Sequence, residues 1–188
     1  RSRNNQLILH ALSQIDRLIQ TAIARYGKER IAVVTGTSTS GADENIPLFQ
    51  HVVQGGEWTD VPFKQLQHTM ASPSEFIAQV YGLDGLRYTV STACTSGARA
   101  LISAARLLRA GLCDAVICGG ADTLSPLTIN GFASLEVLSD GIAKPFSANR
   151  NGINIGEAAA FFVMTRDADF DGEMQLLGYG ARSEERRV

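Results

Sequence analysis

The first clear pattern along the chain is an amphipathic stretch, Asn5 to Arg25, in which apolar residues recur at helical spacing opposite a polar face. This pattern predicts one long helix that ends at the turn Tyr26-Gly27. The next apolar run, Arg30 to Thr35, is short and is typical of a buried strand. A polar loop from Gly36 to Gly41 follows, and we expect short helices joined by loops in the less regular stretch Ala42 to Ala71.

Helix-like and strand-like segments alternate along the rest of the chain. The segments predicted to be helices are Pro73 to Tyr81, Ser96 to Ala110 and Phe132 to Leu138. The segments predicted to be strands are Leu86 to Ser91, Asp114 to Cys118, Ala158 to Thr165 and Met174 to Tyr179. Because the strands are apolar on both faces, the alternation favours a largely parallel sheet that helices cover on both sides. The predicted fold class is therefore α/β.

Composition and charge limit the classes of partner. The 188 residues fit one domain, and a hydrophobic fraction of 45% favours a packed core over disorder. The formal net charge is -2 without any block of like charge, so we expect no nucleic-acid partner. No run approaches the roughly 20 apolar residues that span a bilayer, so we expect no membrane segment. Three cysteines without framework spacing suggest a reducing compartment, and the predicted location is the cytoplasm.

One cysteine, Cys94, lies where a predicted strand stops and a predicted helix starts, among small residues that would let a substrate carbonyl reach its sulfur. The amino end of a helix offers unpaired N–H groups and the positive end of the peptide dipole, which favours the nucleophilic thiolate. The same N–H groups can stabilise the oxyanion that forms when a thioester is attacked. In the helix that follows, Arg99, Arg106 and Arg109 share one stripe and the rest is apolar or small, so we expect burial almost all round.

The other cysteines and the histidines have plainer interpretations. A cysteine in an apolar chain is more often a packing residue than a catalyst. Cys113 and Cys118 fit that role, since they lie beside or within an apolar strand. Their spacing suits no common metal site, and we expect no metal. The chain has only three histidines, His10, His51 and His68, and each is interpreted as a surface or packing residue.

An ordered set of motifs surrounds Cys94. The cysteine lies in the hexapeptide Thr92 to Gly97 (TACTSG). The flanking motifs are Pro73 to Ala78, Tyr81 to Gly85, Ala110 to Asp122, Gly131 to Ser139, Pro145-Phe146, Arg150 to Gly152 and Gly156-Glu157. In order and spacing this set resembles the nucleophile-bearing half of the β-ketoacyl-[acyl-carrier-protein] synthases, which are condensing enzymes of the thiolase fold. Ser147, Asn151 and Ala158 depart from the usual family residues, which suggests a divergent subfamily.

The resemblance implies a thiolase-like α/β fold of two similar halves, each with a mostly parallel sheet between helices. Residues 1–188 would form part of the first half without its opening strand, and the second half, with two catalytic histidines, would be absent. The resemblance further implies that Cys94 accepts an acyl group from acyl carrier protein, with its backbone N–H in the oxyanion hole. Decarboxylative Claisen condensation with a malonyl thioester would follow, in fatty acid or polyketide biosynthesis. No bound cofactor is implied, because phosphopantetheine arrives on the carrier protein.

The resemblance also bears on assembly and on rival functions. Family members pair through the strand that leads into the cysteine, so we expect a homodimer through Leu86 to Ser91, a run with few charges. Two other functions stay open: a thiolase-type acyltransferase that uses coenzyme A thioesters, and a non-catalytic partner subunit of the chain-length type. The hexapeptide favours the synthase over the thiolase, and the presence of Cys94 weighs against the non-catalytic subunit.

Three further features have both a functional and a plainer interpretation. Glu157 is interpreted as a structural residue rather than a catalytic acid. The loop from Gly36 to Gly41 only loosely resembles a phosphate-binding loop, because it lacks the lysine of a P-loop. Arg1, Arg3 and Arg25 are candidates to attract an acidic carrier protein, although a solvated helix end is the preferred interpretation.

Overall fold

The computed structural model describes residues 1–170, 172 and 174–181. The helices are α1 (Arg3–Gln14), α2 (Asp16–Tyr26), α3 (Ile46–Val53), α4 (Gln65–His68), α5 (Ser72–Tyr81), α6 (Ser96–Arg109) and α7 (Pro126–Ser134). The strands are β1 (Ile31–Gly36), β2 (Arg87–Val90), β3 (Ala115–Asp122) and β4 (Ala158–Thr165). Within these residues, no helix is long and apolar enough to cross a membrane.

The strands form one mixed sheet of four strands in the order β2-β1-β3-β4. The strand β1 pairs in parallel with both β2 and β3, and its last residue, Gly36, lies opposite Val90 and Gly120. The carboxyl ends of these three strands therefore meet at one edge of the sheet. The strand β4 runs antiparallel to β3. The largely parallel α/β sheet predicted from the sequence is confirmed, and β4 is the strand that makes it mixed.

Helices cover both faces of the sheet. Successive residues of a strand point to opposite sides, so one strand contributes to the core on each face. Ile31 and Val33 of β1 pack in a core with α1, α2 and α5, whereas Ala32 and Val34 pack in a second core with α6. The first core also contains Ile8, Leu12, Ile19, Phe76, Ile77 and Ile117, and the second contains Ala100, Ala104, Leu108, Val116 and Cys118. The two cores fix α6 against the face of the sheet opposite to α1.

The sequence predicts one long helix at the start of the chain, but the structure has two helices there, α1 and α2. Ile15 leaves helical geometry, with φ of -115° and ψ of 15°, and separates α1 from α2. Asp16 then opens α2, where a carboxylate lies favourably at the positive end of the new helix. The same carboxylate accepts a hydrogen bond of 3.1 Å from the hydroxyl of Tyr81. The predicted single helix from Asn5 to Arg25 is therefore wrong at this break.

The predicted helix from Phe132 to Leu138 is wrong in its bounds. The observed helix α7 begins at Pro126, where proline fits because the first turn needs no N–H partner. It ends at Ser134, and Glu136 has φ of 57°, which a right-handed helix does not accommodate. The chain then forms an isolated bridge between Leu138 and Ile153.

Two strand predictions need correction. The strand β3 continues beyond Cys118, its predicted end, because Gly119 and Gly120 both pair with β4. The predicted strand Met174 to Tyr179 is wrong, since none of residues 174–181 lies in a strand. Leu177 in that stretch is 89% exposed, so this apolar residue is not part of the core. The other predicted strands and the helix α5 are confirmed within one or two residues, and Gly82 ends α5 at φ of 62°.

The prediction that the helix after Cys94 is buried almost all round is wrong for the described chain. One face of α6 packs on the sheet, but outside the arginine stripe Ala98 is exposed, and Leu101 and Leu107 are only partly buried although they pack on the core. The small residue Ala98 therefore lies on a face that the described part of the chain leaves open to solvent.

Candidate active site around Cys94

Cys94 lies in a tight turn between the end of β2, at Val90, and the start of α6, at Ser96. The residue before it, Ala93, has φ of 51°, a left-handed conformation that residues with a side chain rarely adopt. The cysteine side chain is exposed. The predicted placement of Cys94 at a strand-to-helix junction is confirmed, and the positive φ shows how sharply the chain turns there.

Ser96, which is only 3% exposed, connects this turn to the first turn of α6. Its backbone N–H and its hydroxyl both donate to the carbonyl oxygen of Ala93, at 3.0 and 2.6 Å. Its Oγ accepts a hydrogen bond of 2.9 Å from the backbone N–H of Thr92. The hydroxyl of Thr95 donates to the carbonyl oxygen of Thr92 at 2.9 Å. The residues on both sides of Cys94 are therefore bound to the start of the helix.

The cysteine borders a cleft of about 470 Å³ at the carboxyl ends of the parallel strands. Most of the lining is small or apolar, including Gly36, Gly97, Gly119, Gly120, Ala160, Leu101 and Phe162. Small side chains leave space beside the sulfur for the carbonyl of a bound acyl group. A few polar residues, Ser38, Ser96, Asp122 and Glu157, complete the wall, which is the usual composition of a small-molecule site.

The carboxylate of Glu157 is bound by groups of the chain itself. Arg3 pairs with both oxygens, with Nε at 3.0 Å from Oε2, and the backbone N–H of Leu124 donates to the same carboxylate at 3.2 Å. The Arg3 hydrogen bond, and after it that of Leu124, lowers the pKa of Glu157 from its ordinary value. A carboxyl group held ionised in this way is a poor proton donor. The contacts therefore agree with the structural role expected from the sequence.

The loop that begins at Gly36 is held by Asp122, at the end of β3. One oxygen of this carboxylate accepts hydrogen bonds from the hydroxyl of Thr37 and the N–H of Ser38, both at 2.8 Å, and from the N–H of Thr39 at 3.4 Å. Backbone N–H groups are what a phosphate-binding loop offers its ligand. Because Asp122 occupies them here, the loop does not form a phosphate cradle and instead places Ser38 in the cleft wall.

The other two cysteines lie inside the protein. Cys113 is 3% exposed and Cys118 is fully buried in the core beneath α6. Burial raises the pKa of Cys118 to about 12, and burial is also the main cause that raises the pKa of Cys113. Since the thiolate is the reactive form, both thiols are unsuited to nucleophilic chemistry, which confirms the packing role predicted from the sequence.

The histidines lie elsewhere in the fold. His10 is exposed on α1, His51 bonds Asp60 at 2.8 Å, and His68 lies 3.4 Å from Asn45. Of the residues that the structure describes, those that line the cleft include none of the three. In the same residues, no group of three or more His, Cys, Asp or Glu side chains is arranged to hold a metal ion.

The arginines near the helix ends are used within the fold. Arg3 pairs with Glu157, Arg25 pairs with Asp167, and the guanidinium of Arg1 lies 5.5 Å from the ring centre of Phe76. From the sequence, a solvated helix end is the preferred interpretation and a carrier-protein contact is the alternative. The structure shows a third role, because these cations also join α1 and α2 to other elements.

Comparison with known proteins identifies relatives of this arrangement. Residues 10–169 match the family model described as "Beta-ketoacyl synthase, N-terminal domain". The tetracenomycin polyketide synthase ketoacyl synthase alpha subunit of Streptomyces glaucescens is 32% identical over 163 residues, which cover 75% of this chain and 36% of that protein. A 3-oxoacyl-[acyl-carrier-protein] synthase homolog of Saccharomyces cerevisiae is 34% identical over 113 residues, or 55% of this chain and 25% of that protein.

Solved structures give the same result. A ketosynthase from Xenorhabdus doucetiae, solved in complex with its chain length factor, has a TM-score of 0.80 and 48% identity, and the match covers 89% of this chain and 42% of that one. The ishigamide ketosynthase/chain length factor has a TM-score of 0.74 and 26% identity over 86% of this chain and 41% of that one. These likenesses confirm the thiolase-like fold. The chain spans less than half the length of these relatives.

Proposed function

The chain belongs to the β-ketoacyl synthase family, and on that premise we propose that it is the nucleophile-bearing part of a ketosynthase that condenses acyl and malonyl groups. The observation that supports this most is the position of Cys94, exposed in a fixed strand-to-helix turn beside a cleft lined with small residues. The substrates are thioesters of acyl carrier protein, since one relative is named for that carrier. No resident cofactor is needed, because the phosphopantetheine arm arrives with the substrate.

In the first step, the thiolate of Cys94 attacks the carbonyl carbon of the acyl thioester. A bond forms between Sγ and that carbon, and the bond from the carbon to the sulfur of the carrier breaks. The carrier leaves as a thiolate and takes up a proton. The backbone N–H of Cys94 is the proposed donor to the oxyanion of the tetrahedral intermediate, since groups aimed at that charge lower the barrier.

The second step requires groups that the described residues do not place at the cleft. A malonyl thioester loses carbon dioxide, and the resulting carbanion attacks the acyl carbon on Cys94, which regenerates the thiolate. Decarboxylation needs donors toward the developing enolate oxygen, and none of the described cleft residues is a histidine. We assign this task to the two histidines of the second half that the family resemblance implies.

The surface of the described chain supports a second half packed on this one. Leu101 and Leu107 of α6 are only partly buried where they pack on the core, and Phe162 of β4 is 38% exposed beside the cleft. Apolar groups in these positions are typical of a surface covered by another part of the protein. The 188-residue chain alone should therefore be poorly soluble and should form no β-ketoacyl product.

The strand β2 is proposed as the contact with a second subunit. It lies at one end of the sheet order, and its one charged residue, Arg87, is paired with Glu75. An edge strand with few free charges is suited to pairing across an interface. The sequence predicts a homodimer, but the 48% identical relative was solved with a chain length factor. That finding favours a different subunit of the same fold, and light scattering of the protein alone and with such a subunit separates the two assemblies.

The decisive assay follows carbon dioxide release and β-ketoacyl product separately, with intact protein, acyl carrier protein and malonyl carrier protein. Cys94→Ala should abolish the product yet leave slow decarboxylation, because the second-half histidines remain. Cys113→Ala is the matched control, since that thiol is buried away from the cleft, and it should retain product formation. Product from Cys94→Ala at the normal rate would overturn the proposal, and use of coenzyme A thioesters alone would favour a thiolase. The cytoplasmic location stays a prediction.

A further inference from the structure

The first turn of α6 packs directly on the ends of two strands. A Cβ atom placed on Gly36, the last residue of β1, would lie 2.5 Å from the carbonyl carbon and oxygen of Ser96 and 2.7 Å from the nitrogen of Gly97. A Cβ on Gly120 of β3 would lie 3.4 Å from the Cα of Gly97 in α6. Contacts under 3.0 Å are essentially never made by real Cβ atoms. The atoms met at Gly36 belong to the backbone, which cannot rotate away, so any side chain there must displace the helix or the strand.

The displaced group would be the residue that fixes the cysteine turn. Ser96 receives the contact from Gly36, and the hydrogen bonds of Ser96 to Thr92 and Ala93 hold the turn on the amino side of Cys94. A shift of Ser96 would therefore also move the turn that carries Cys94, through these hydrogen bonds to Thr92 and Ala93. Gly36 also lines the same cleft as Cys94, so the shift would move the sulfur relative to the cleft wall.

We propose that Gly36 is a positioning residue for Cys94 that acts through Ser96. Because Gly36 has no side chain, Ser96 can pack against it, and this packing fixes the position of the nucleophile. The proposal rests on the proposed function, in which Cys94 accepts the acyl group. Misplacement of a reacting group by about 1 Å can lower a rate on the order of 10²-fold. Gly36→Ala should therefore lower the rate constant of acyl transfer to Cys94 by about 10- to 100-fold. The KM for the acyl thioester should change little, because the added methyl group would meet the backbone of Ser96 and Gly97 rather than the bound chain.

The experiment measures single-turnover acylation of the intact protein by an acyl carrier thioester, over a range of substrate concentration. Gly141→Ala is the matched control, since a Cβ there would meet no described atom within 4 Å, and Gly141 neither lines the cleft nor belongs to the motifs that flank Cys94. The control should acylate at the normal rate. A folded Gly36→Ala protein with a normal rate constant would overturn the proposal, even if its melting temperature fell, because Gly36 would then be only structural.

A second variant covers the case in which Gly36→Ala fails to fold. Ser96→Ala removes the hydroxyl that joins Thr92 to Ala93 but keeps the contact between Gly36 and the helix backbone. It should lower the acylation rate constant by about tenfold or more with little change in KM. A normal rate in this variant would overturn the proposal as well. Failure of the unaltered protein to acylate Cys94 would instead overturn the proposed function, and the positioning role with it.

Discussion

The three thiols should differ by orders of magnitude in their rate of alkylation by iodoacetamide, because only the thiolate of an accessible cysteine reacts. Cys94 is exposed, whereas Cys113 and Cys118 are 3% and 0% exposed. Burial also raises the pKa of both inner thiols, and that of Cys118 reaches about 12. Low accessibility and a raised pKa therefore both slow the alkylation of Cys113 and Cys118.

The size of the effect follows from the pKa of Cys118. At pH 8 a thiol with a pKa of about 12 is ionised in about one molecule in 10⁴. A free cysteine with a pKa of about 8.5 is ionised in about one quarter of the molecules at the same pH. Ionisation alone thus makes Cys118 about 2,000-fold slower than free cysteine, before any cost of opening the core. Cys94 is exposed and should therefore be labelled far faster than Cys118.

The assay is brief labelling of the folded protein at pH 8, followed by quenching, digestion and mass mapping of the three cysteine peptides. Labelling in guanidinium chloride is the control, because unfolding should make the three rates alike. Labelling of Cys113 or Cys118 within tenfold of Cys94 in the folded protein would refute the reasoning about burial and accessibility.

Three further predictions concern the fold and its pH dependence. Ile77→Ala should lower the free energy of unfolding by about 2–5 kcal/mol, since Ile77 is 0% exposed. Val53→Ala, at an 86% exposed position, should change it by under about 0.5 kcal/mol. Equal losses of the two variants in chemical denaturation would contradict the assignment of Ile77 to the core. The raised pKa of Cys118 contributes stability that is complete below the unfolded pKa of about 8.5 and is lost toward pH 12, by about 1.4 kcal/mol per pH unit. The Cys118→Ala protein should therefore lose less stability than the unaltered protein between pH 8.5 and 11, and parallel curves would refute this. The lowered pKa of Glu157 has the opposite sign, so its contribution is present above the unfolded pKa of about 4.3 and is lost as the pH falls; the stability difference from Glu157→Gln should shrink on acidification, and a constant difference would count against the Arg3 contact.

The order of helices and strands could be predicted because each element has its own pattern. Apolar runs such as the one at β1 are buried on both sides of the sheet, and the sequence shows that directly. The break at Ile15 could not be predicted, because Leu12 and Ile19 on either side keep the same helical spacing and enter the same core. The periodicity therefore continues through a point where the backbone does not.

Of the candidate site, only the nucleophile Cys94 could be predicted from the sequence. Cys94 has a local signature of small residues between a strand and a helix. The groups that support it act across long sequence separations, as when Asp122 binds Thr37, 85 residues away. Gly36 offered no local signal beyond ending a strand, since its role depends on the backbone of Ser96 packed against it. Such contacts are properties of the folded chain.

The central claim is that Cys94 accepts the acyl group, and trapping the acyl-enzyme tests it most directly. Intact protein is incubated with an acyl carrier thioester in the absence of malonyl substrate, quenched in acid, digested and analysed by mass spectrometry. The account predicts one acyl group on the peptide that contains Cys94, its retention in Cys113→Ala and its loss in Cys94→Ala. An acyl group on any other residue, or undiminished acylation of Cys94→Ala, would contradict it.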